Sequence, residues 1–97
     1  MDRFDSQGFT IGSVVGSDGP VRISQARLAP GGVIGRHPAV RRQLLIPLDG
    51  DVTVSGQDGV SYGIGPGRAA LWEPGEEHET RTADGLWALV VEGNLTD

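Results

Sequence analysis

Cysteine and lysine are both absent from this 97-residue sequence, and aromatic residues make up only 5% of it. Without cysteine, the chain can form neither a disulfide nor a thiolate metal site. No run of apolar residues approaches the length of a membrane helix, and the charged start Met1–Asp5 does not lead into the apolar stretch of a secretory signal. We therefore expect a cytoplasmic protein that has no membrane partner.

Positive charge is also scarce. Eight arginines face 13 acidic residues, and the net charge is −5. Nucleic-acid binding depends on clustered positive charge, and the only local cluster is formed by Arg36, Arg41 and Arg42. We interpret these three arginines as solvated side chains rather than an anion site. The composition therefore predicts no nucleic-acid partner.

Glycine and proline, in contrast, are abundant, with 16 and 6 residues. This suits many short strands joined by tight turns. No segment longer than ten residues has a helical apolar period without a glycine or proline inside it. Turn signals lie at Gly16–Pro20, Pro30–Gly32, Asp49–Gly50, Gln57–Gly59, Gly65–Gly67, Pro74–Gly75 and Asp84–Gly85. The sequence predicts one all-β domain over residues 1–97, a sandwich or barrel.

Runs of strand length fill the intervals between these turns. We predict strands at Phe9–Val15, Val21–Leu28, Gln43–Leu48, Val52–Ser55, Val60–Gly63, Ala69–Trp72, His78–Thr82 and Leu86–Glu92. Val21–Leu28 alternates between apolar and polar residues apart from one slip at Ser24-Gln25, which indicates a bulge. Pro47 cannot donate a ladder hydrogen bond, so we place it at an edge or a bulge.

Two of these runs, Leu44–Leu48 and Leu86–Val91, are apolar on both sides. A small barrel has one interior, so their outward side chains need cover from terminal strands or from a second subunit. We favour a homodimer for this reason.

Candidate chemistry centres on the only two histidines, His37 and His78. The first lies in the pattern Gly31, five residues, His37-Pro38-Ala39, three residues, Gln43, six residues, Gly50. The second lies in the pattern Gly67, five residues, Glu73-Pro74-Gly75, two residues, His78, three residues, Thr82. This spacing resembles, at its anchor positions, the two sequence motifs of the cupin family. The resemblance spans residues 31–82.

The resemblance implies a small antiparallel β-barrel, also described as a jelly roll or double-stranded β-helix. It also implies a metal held inside the barrel by three histidines and a glutamate. Here alanine stands at the second histidine position (Ala39), glutamine at the glutamate position (Gln43) and threonine at the asparagine position (Thr82), and the motif proline is displaced by one place. Only His37 and His78 carry over as ligand types.

The remaining donors are weaker. Gln43 offers a neutral amide oxygen. Glu73, at the position of the family's proline, is the first candidate for a carboxylate that completes the shell, and Glu76 is the second. Such a site would bind a divalent ion such as Fe, Mn, Ni or Zn loosely. We expect Ala39, Leu45 and Thr80 to face the pocket.

Three functions stay open. The first is a metal-dependent enzyme acting on a small organic substrate, of the dioxygenase, isomerase or decarboxylase type. The second is a non-catalytic barrel that binds or senses a small-molecule ligand without metal. The third is a protein–protein module. We interpret Trp72 and Trp87 as core or interface residues, Tyr62 as a cross-strand packing residue, and Gln25 and Arg27 as surface residues.

Overall fold

A computed structural model describes residues 15–96 of the chain, and at positions 36 and 37 the backbone alone. These residues form eight strands: β1 (Gly16–Leu28), β2 (Val33–Pro38), β3 (Arg42–Asp49), β4 (Val52–Ser55), β5 (Ser61–Ile64), β6 (Ala70–Trp72), β7 (Glu77–Arg81) and β8 (Leu86–Thr96). Within residues 15–96 no helix is long and apolar enough to span a membrane.

The strands build two four-stranded antiparallel sheets. Sheet A has the order β1-β8-β3-β6 and sheet B the order β2-β7-β4-β5. Alternation along the strands directs one face of each sheet towards the other. In β4, for example, Val52 and Val54 are 2% and 5% exposed while Thr53 is exposed. The predicted all-β antiparallel jelly roll is confirmed, and its core lies between the two sheets.

The N-terminal part of β1 corrects the predicted turn at Gly16–Pro20. These residues belong to the strand because β8 continues to Thr96, which pairs with Gly16. The strand is irregular where the turn was predicted: the register shifts between Ser17 and Val21, and Gly19 has a φ of 113°. The slip predicted at Ser24-Gln25 is absent, since the register runs unbroken from Val21 to Leu28.

The remaining comparisons concern strand β2, the predicted strand Phe9–Val15 and Pro47. Strand β2 was not predicted, because its segment contains Gly35 and Pro38, both poor strand formers. The predicted strand Phe9–Val15 lies outside the described residues except for Val15, which is not in a strand. Pro47 lies in the central strand β3 at a register shift, which agrees with the predicted bulge.

One end of the sandwich is closed where the β3–β4 turn meets the β7–β8 turn. Gly50 has a φ of 90°, and a Cβ there would lie 2.3 Å from the carbonyl oxygen of Gly85. Thr82 joins the same two turns, since its hydroxyl donates to the Asp51 carbonyl (3.1 Å) and accepts from the Gly85 amide (3.0 Å). The candidate site residues lie towards the opposite end.

Candidate ligand site

The backbone places the two histidines opposite one another. His37 on β2 and His78 on β7 are register partners, as are the next pair, Pro38 and Glu77. The structure describes the side chain of His78 but only the backbone of His37. His78 is 2% exposed, and both of its ring nitrogens are shielded from solvent.

An aromatic stack covers the His78 ring. Trp72 lies with its ring centroid 4.1 Å from that of His78, at an interplanar angle of 18°. Such a pair contributes about 1 kcal/mol beyond the area that it buries. Because Trp72 itself is only 5% exposed, the indole fills the interior beside the imidazole.

The predicted amide ligand, Gln43, lies on the same interior face. It is the register partner of Trp72, and it is two residues from the core residue Leu45. Cross-strand partners and residues two apart share a face of the sheet. His78, Trp72 and Gln43 therefore belong to one end of the interior.

The three residues predicted to face a pocket are buried in the structure. Ala39 and Leu45 are members of the hydrophobic core, 4% and 2% exposed, and Thr80 is 2% exposed. Ala39 also joins the two motif regions through its backbone: its amide donates to the Glu76 carbonyl (3.0 Å), and its carbonyl accepts from the Gly75 amide (2.7 Å). None of the three lines the open cavity described below.

Glu73 is held away from the histidine. Because Trp72 points inward, its neighbour Glu73 is directed to the other side. The Arg42 Nε donates to both carboxylate oxygens at 3.0 Å, and the Arg42 Nη1 donates to the Leu95 carbonyl at 2.8 Å. The carboxylate that we expected to complete a metal shell is therefore engaged in an ion pair at the surface.

The cupin resemblance implies a bound transition-metal ion, and the described side chains can be tested as its ligands. Among the side chains that the structure describes, no three histidine, aspartate or glutamate groups come together as metal ligands do. A catalytic ion needs about three protein donors and an open coordination position. The described donors, one solvent-shielded imidazole and one neutral amide, do not fit such an ion.

An open cavity of about 450 Å³ lies between the edge strands β5 and β6. Trp72 forms part of its wall, and Tyr62 lies on the opposing edge. Tyr62 is the register partner of Val54, which is buried, so it is on the inner face of sheet B. Because β5 is an edge strand, the Tyr62 side chain nevertheless stays 56% exposed.

Three charged side chains reach this cavity: Asp58, Arg68 and Glu76. The local backbone fixes both carboxylates, since Asp58 Oδ1 accepts from the amide of Val60 and Glu76 Oε1 accepts from the amide of Glu73, each at 3.0 Å. Arg68 forms no side-chain hydrogen bond or ion pair with residues 15–96. Sequence reasoning missed this residue, because only the fold brings the Gly65–Gly67 turn beside Trp72.

No protein-family model matches the sequence, and no curated protein matches it. Solved structures do match. A cupin superfamily protein from Desulfitobacterium hafniense DCB-2 is similar with a TM-score of 0.70 at 16% identity, over 87% of this chain and 77% of that one. An RmlC-like cupin from Shewanella frigidimarina NCIMB 400 is similar with a TM-score of 0.71 at 15% identity, over 76% and 66%.

An enzyme is also similar in structure. The DMSP lyase DddQ from Ruegeria pomeroyi DSS-3 matches with a TM-score of 0.71 at 22% identity, over 75% of this chain but only 38% of the lyase. At these identities the likeness establishes architecture, not activity. The chain therefore has the RmlC-like fold of the cupin superfamily.

Proposed function

We propose that this protein binds a small organic molecule in the cavity between β5 and β6, without a resident metal ion. The observation that carries the proposal is a cavity of about 450 Å³ walled by Trp72 and Tyr62, next to a histidine whose ring nitrogens are closed off from solvent.

The cavity has the size and composition of a ligand site. Small-molecule pockets commonly measure about 300–1,000 Å³ and combine apolar walls with a few polar groups. Here Val54, Ile64 and Trp72 supply apolar surface, while Arg68 supplies a cation. A flat ligand could pack against the exposed Tyr62 ring and reach the edge of the Trp72 indole, and a carboxylate on it could pair with the Arg68 guanidinium.

Catalysis is not part of this proposal. The similarity to a lyase shows that this architecture can carry an enzyme, but the described donors of this chain do not fit a catalytic ion. Arg42 holds Glu73, the carboxylate that a metal site would need. A binding or sensing role therefore agrees best with the described side chains.

Tryptophan fluorescence gives a direct test. The chain contains two tryptophans, and Trp87 lies on the outer face of β8, 36% exposed. Trp87→Phe leaves Trp72, in the cavity wall, as the sole reporter. We expect a subset of small aromatic and aliphatic carboxylates, screened at about 1 mM, to shift or quench its emission and to raise the melting temperature.

Three further substitutions locate the bound molecule. Tyr62→Ala should weaken binding by about tenfold or more, while Tyr62→Phe should keep most of the affinity because the ring remains. Glu73→Gln, outside the cavity, should leave affinity unchanged. A ligand whose affinity depends on Glu73 but not on Tyr62 would contradict the proposal, as would a screen in which no compound binds.

A further inference from the structure

A second cavity, of about 440 Å³, lies where β1 and β8 meet the connection between β2 and β3. It shares no lining residue with the cavity between β5 and β6, so the two sites are independent. Its volume is within the usual range of small-molecule sites, about 300–1,000 Å³. Its walls combine apolar and charged side chains: Pro20, Val21, Arg22, Val40, Arg41 and Glu92.

One register row across sheet A places two of the charged side chains. Arg22 on β1 is the register partner of Glu92 on β8. Glu92 is in turn the partner of Gln43, whose other partner is the interior residue Trp72. Because cross-strand partners share a face, Arg22 and Glu92 project from the same inner face as Trp72. At the β1 edge the row thus ends in a guanidinium beside a carboxylate.

Arg22 and Glu92 carry opposite charges, yet they do not pair with each other. Neither side chain forms a hydrogen bond or an ion pair with any group that the structure describes, and the same holds for Arg41. The Cβ atoms of cross-strand partners are about 5 Å apart, so side chains of this length are within reach of one another. All three charges therefore remain available to a bound molecule.

Two valines supply apolar surface next to these charges. Val40, in the connection between β2 and β3, is 84% exposed, and Val21 is 42% exposed. Gly93 on β8 lets the β1 wall lie close: a Cβ there would be 2.9 Å from the Pro20 carbonyl oxygen and 3.1 Å from Val21 Cγ1. The Pro20–Val21 wall is therefore fixed by close contact with β8.

We propose that this cavity binds a free amino acid as its zwitterion. The guanidinium groups of Arg22 and Arg41 hold the carboxylate, and the carboxylate of Glu92 holds the ammonium group. Val21 and Val40 cover an aliphatic side chain.

The mixture of charges favours a zwitterion over a simple ion. A simple anion is attracted by the two arginines but repelled by Glu92 and by the net charge of −5, and a simple cation is repelled by the arginines. In an amino acid a single carbon atom joins the two charged groups, so one small molecule satisfies both kinds of partner.

An NMR titration of the full chain with free leucine tests the proposal. We expect leucine to bind with a dissociation constant of about 1 mM or lower and to shift the amide signals of Val21, Val40 and Arg41. N-acetylleucine lacks the ammonium group and leucinamide lacks the carboxylate, so each should bind at least about tenfold more weakly. These comparisons use the unchanged protein, so they do not depend on the folding of a variant.

Substitutions identify the partner of each charged group. Arg41→Ala and Glu92→Gln should each weaken leucine binding by about tenfold or more. Glu92→Gln should not weaken the binding of N-acetylleucine, which has no ammonium group to lose a partner. Arg27→Ala is the matched control and should keep the wild-type affinity, because Arg27 is an exposed arginine of the same strand that lies over the Trp87 ring.

Three results would overturn the proposal. The first is the absence of any amide shift with leucine up to about 10 mM. The second is equal affinity for leucine, N-acetylleucine and leucinamide. The third is leucine binding that Arg68→Ala abolishes while Arg41→Ala and Glu92→Gln leave it intact, which would place the amino acid in the cavity between β5 and β6 and would support the proposed function alone.

Discussion

Replacing Thr82 by valine removes one hydroxyl that connects two turns. Thr82 is 6% exposed, and its hydroxyl donates to the Asp51 carbonyl and accepts from the Gly85 amide. Valine has nearly the same shape, so the change removes two hydrogen bonds and creates no cavity. A typical net contribution is about 1 kcal/mol per bond, and partners left unsatisfied in a buried site cost somewhat more. We expect Thr82→Val to destabilise the fold by about 2 kcal/mol.

The assay is thermal unfolding followed by circular dichroism. In a domain of this size, 1 kcal/mol corresponds to a change of about 4–8 °C, so Thr82→Val should lower the melting temperature by roughly 8–16 °C. Thr80→Val is the control. Thr80 lies on the same face of β7 and is 2% exposed, but it forms no side-chain hydrogen bond within the described residues. Its replacement should be neutral or stabilising. Equal losses in the two variants would refute this assignment of the Thr82 hydroxyl.

Three other predictions concern the Arg42–Glu73 ion pair, the turn at Gly50 and the binding of metal ions. Glu73→Gln should change the free energy of unfolding by less than about 1 kcal/mol, because the ion pair of Glu73 with Arg42 is exposed. Arg42→Ala should cost more, because it also removes the hydrogen bond from Arg42 to the Leu95 carbonyl. Chemical denaturation of the two variants measures the difference. Gly50→Ala should destabilise the fold far more than Gly59→Ala in the same assay. Both glycines have a positive φ, so an alanine at either position costs about 1–2 kcal/mol in backbone strain. Only at Gly50 would the new Cβ also clash with the Gly85 carbonyl. Divalent iron, manganese, nickel or zinc at about 1 mM should raise the melting temperature by less than about 2 °C, and a larger gain would contradict the metal-free proposal.

Much of the fold could be predicted because it depends on local patterns. Turn chemistry at Asp49-Gly50 and Asp84-Gly85 marked true chain reversals, and alternation identified Val52–Ser55 with its observed bounds. Strand β2 was missed for a physical reason: its glycine and proline have low strand propensity, and it is stabilised by pairing with β7, which is distant in sequence.

The candidate site was less predictable, because it depends on contacts between distant residues. The motif spacing implied that His37 and His78 belong to one site, and the structure makes the two residues register partners on β2 and β7. The spacing could not predict that Trp72 would stack on His78, or that Arg42 would pair with Glu73 across 31 residues. Those contacts depend on the register of β6 against β3, which local patterns do not specify.

The cavity residues illustrate the same limit. Tyr62 looked like a packing residue beside a hairpin, and it does pair with Val54 across the strands. Its role in the cavity follows from the position of β5 at the edge of sheet B, next to the gap that faces β6. Edge position is a property of the whole topology and cannot be read from the residues around Tyr62.

A crystal structure of the protein with a ligand from the fluorescence screen is the most direct measurement. The proposal predicts electron density for the ligand between Tyr62 and Trp72, with its polar group towards Arg68. Density for a ligand or an ion bound to the His78 ring nitrogens, with the β5–β6 cavity empty, would contradict it.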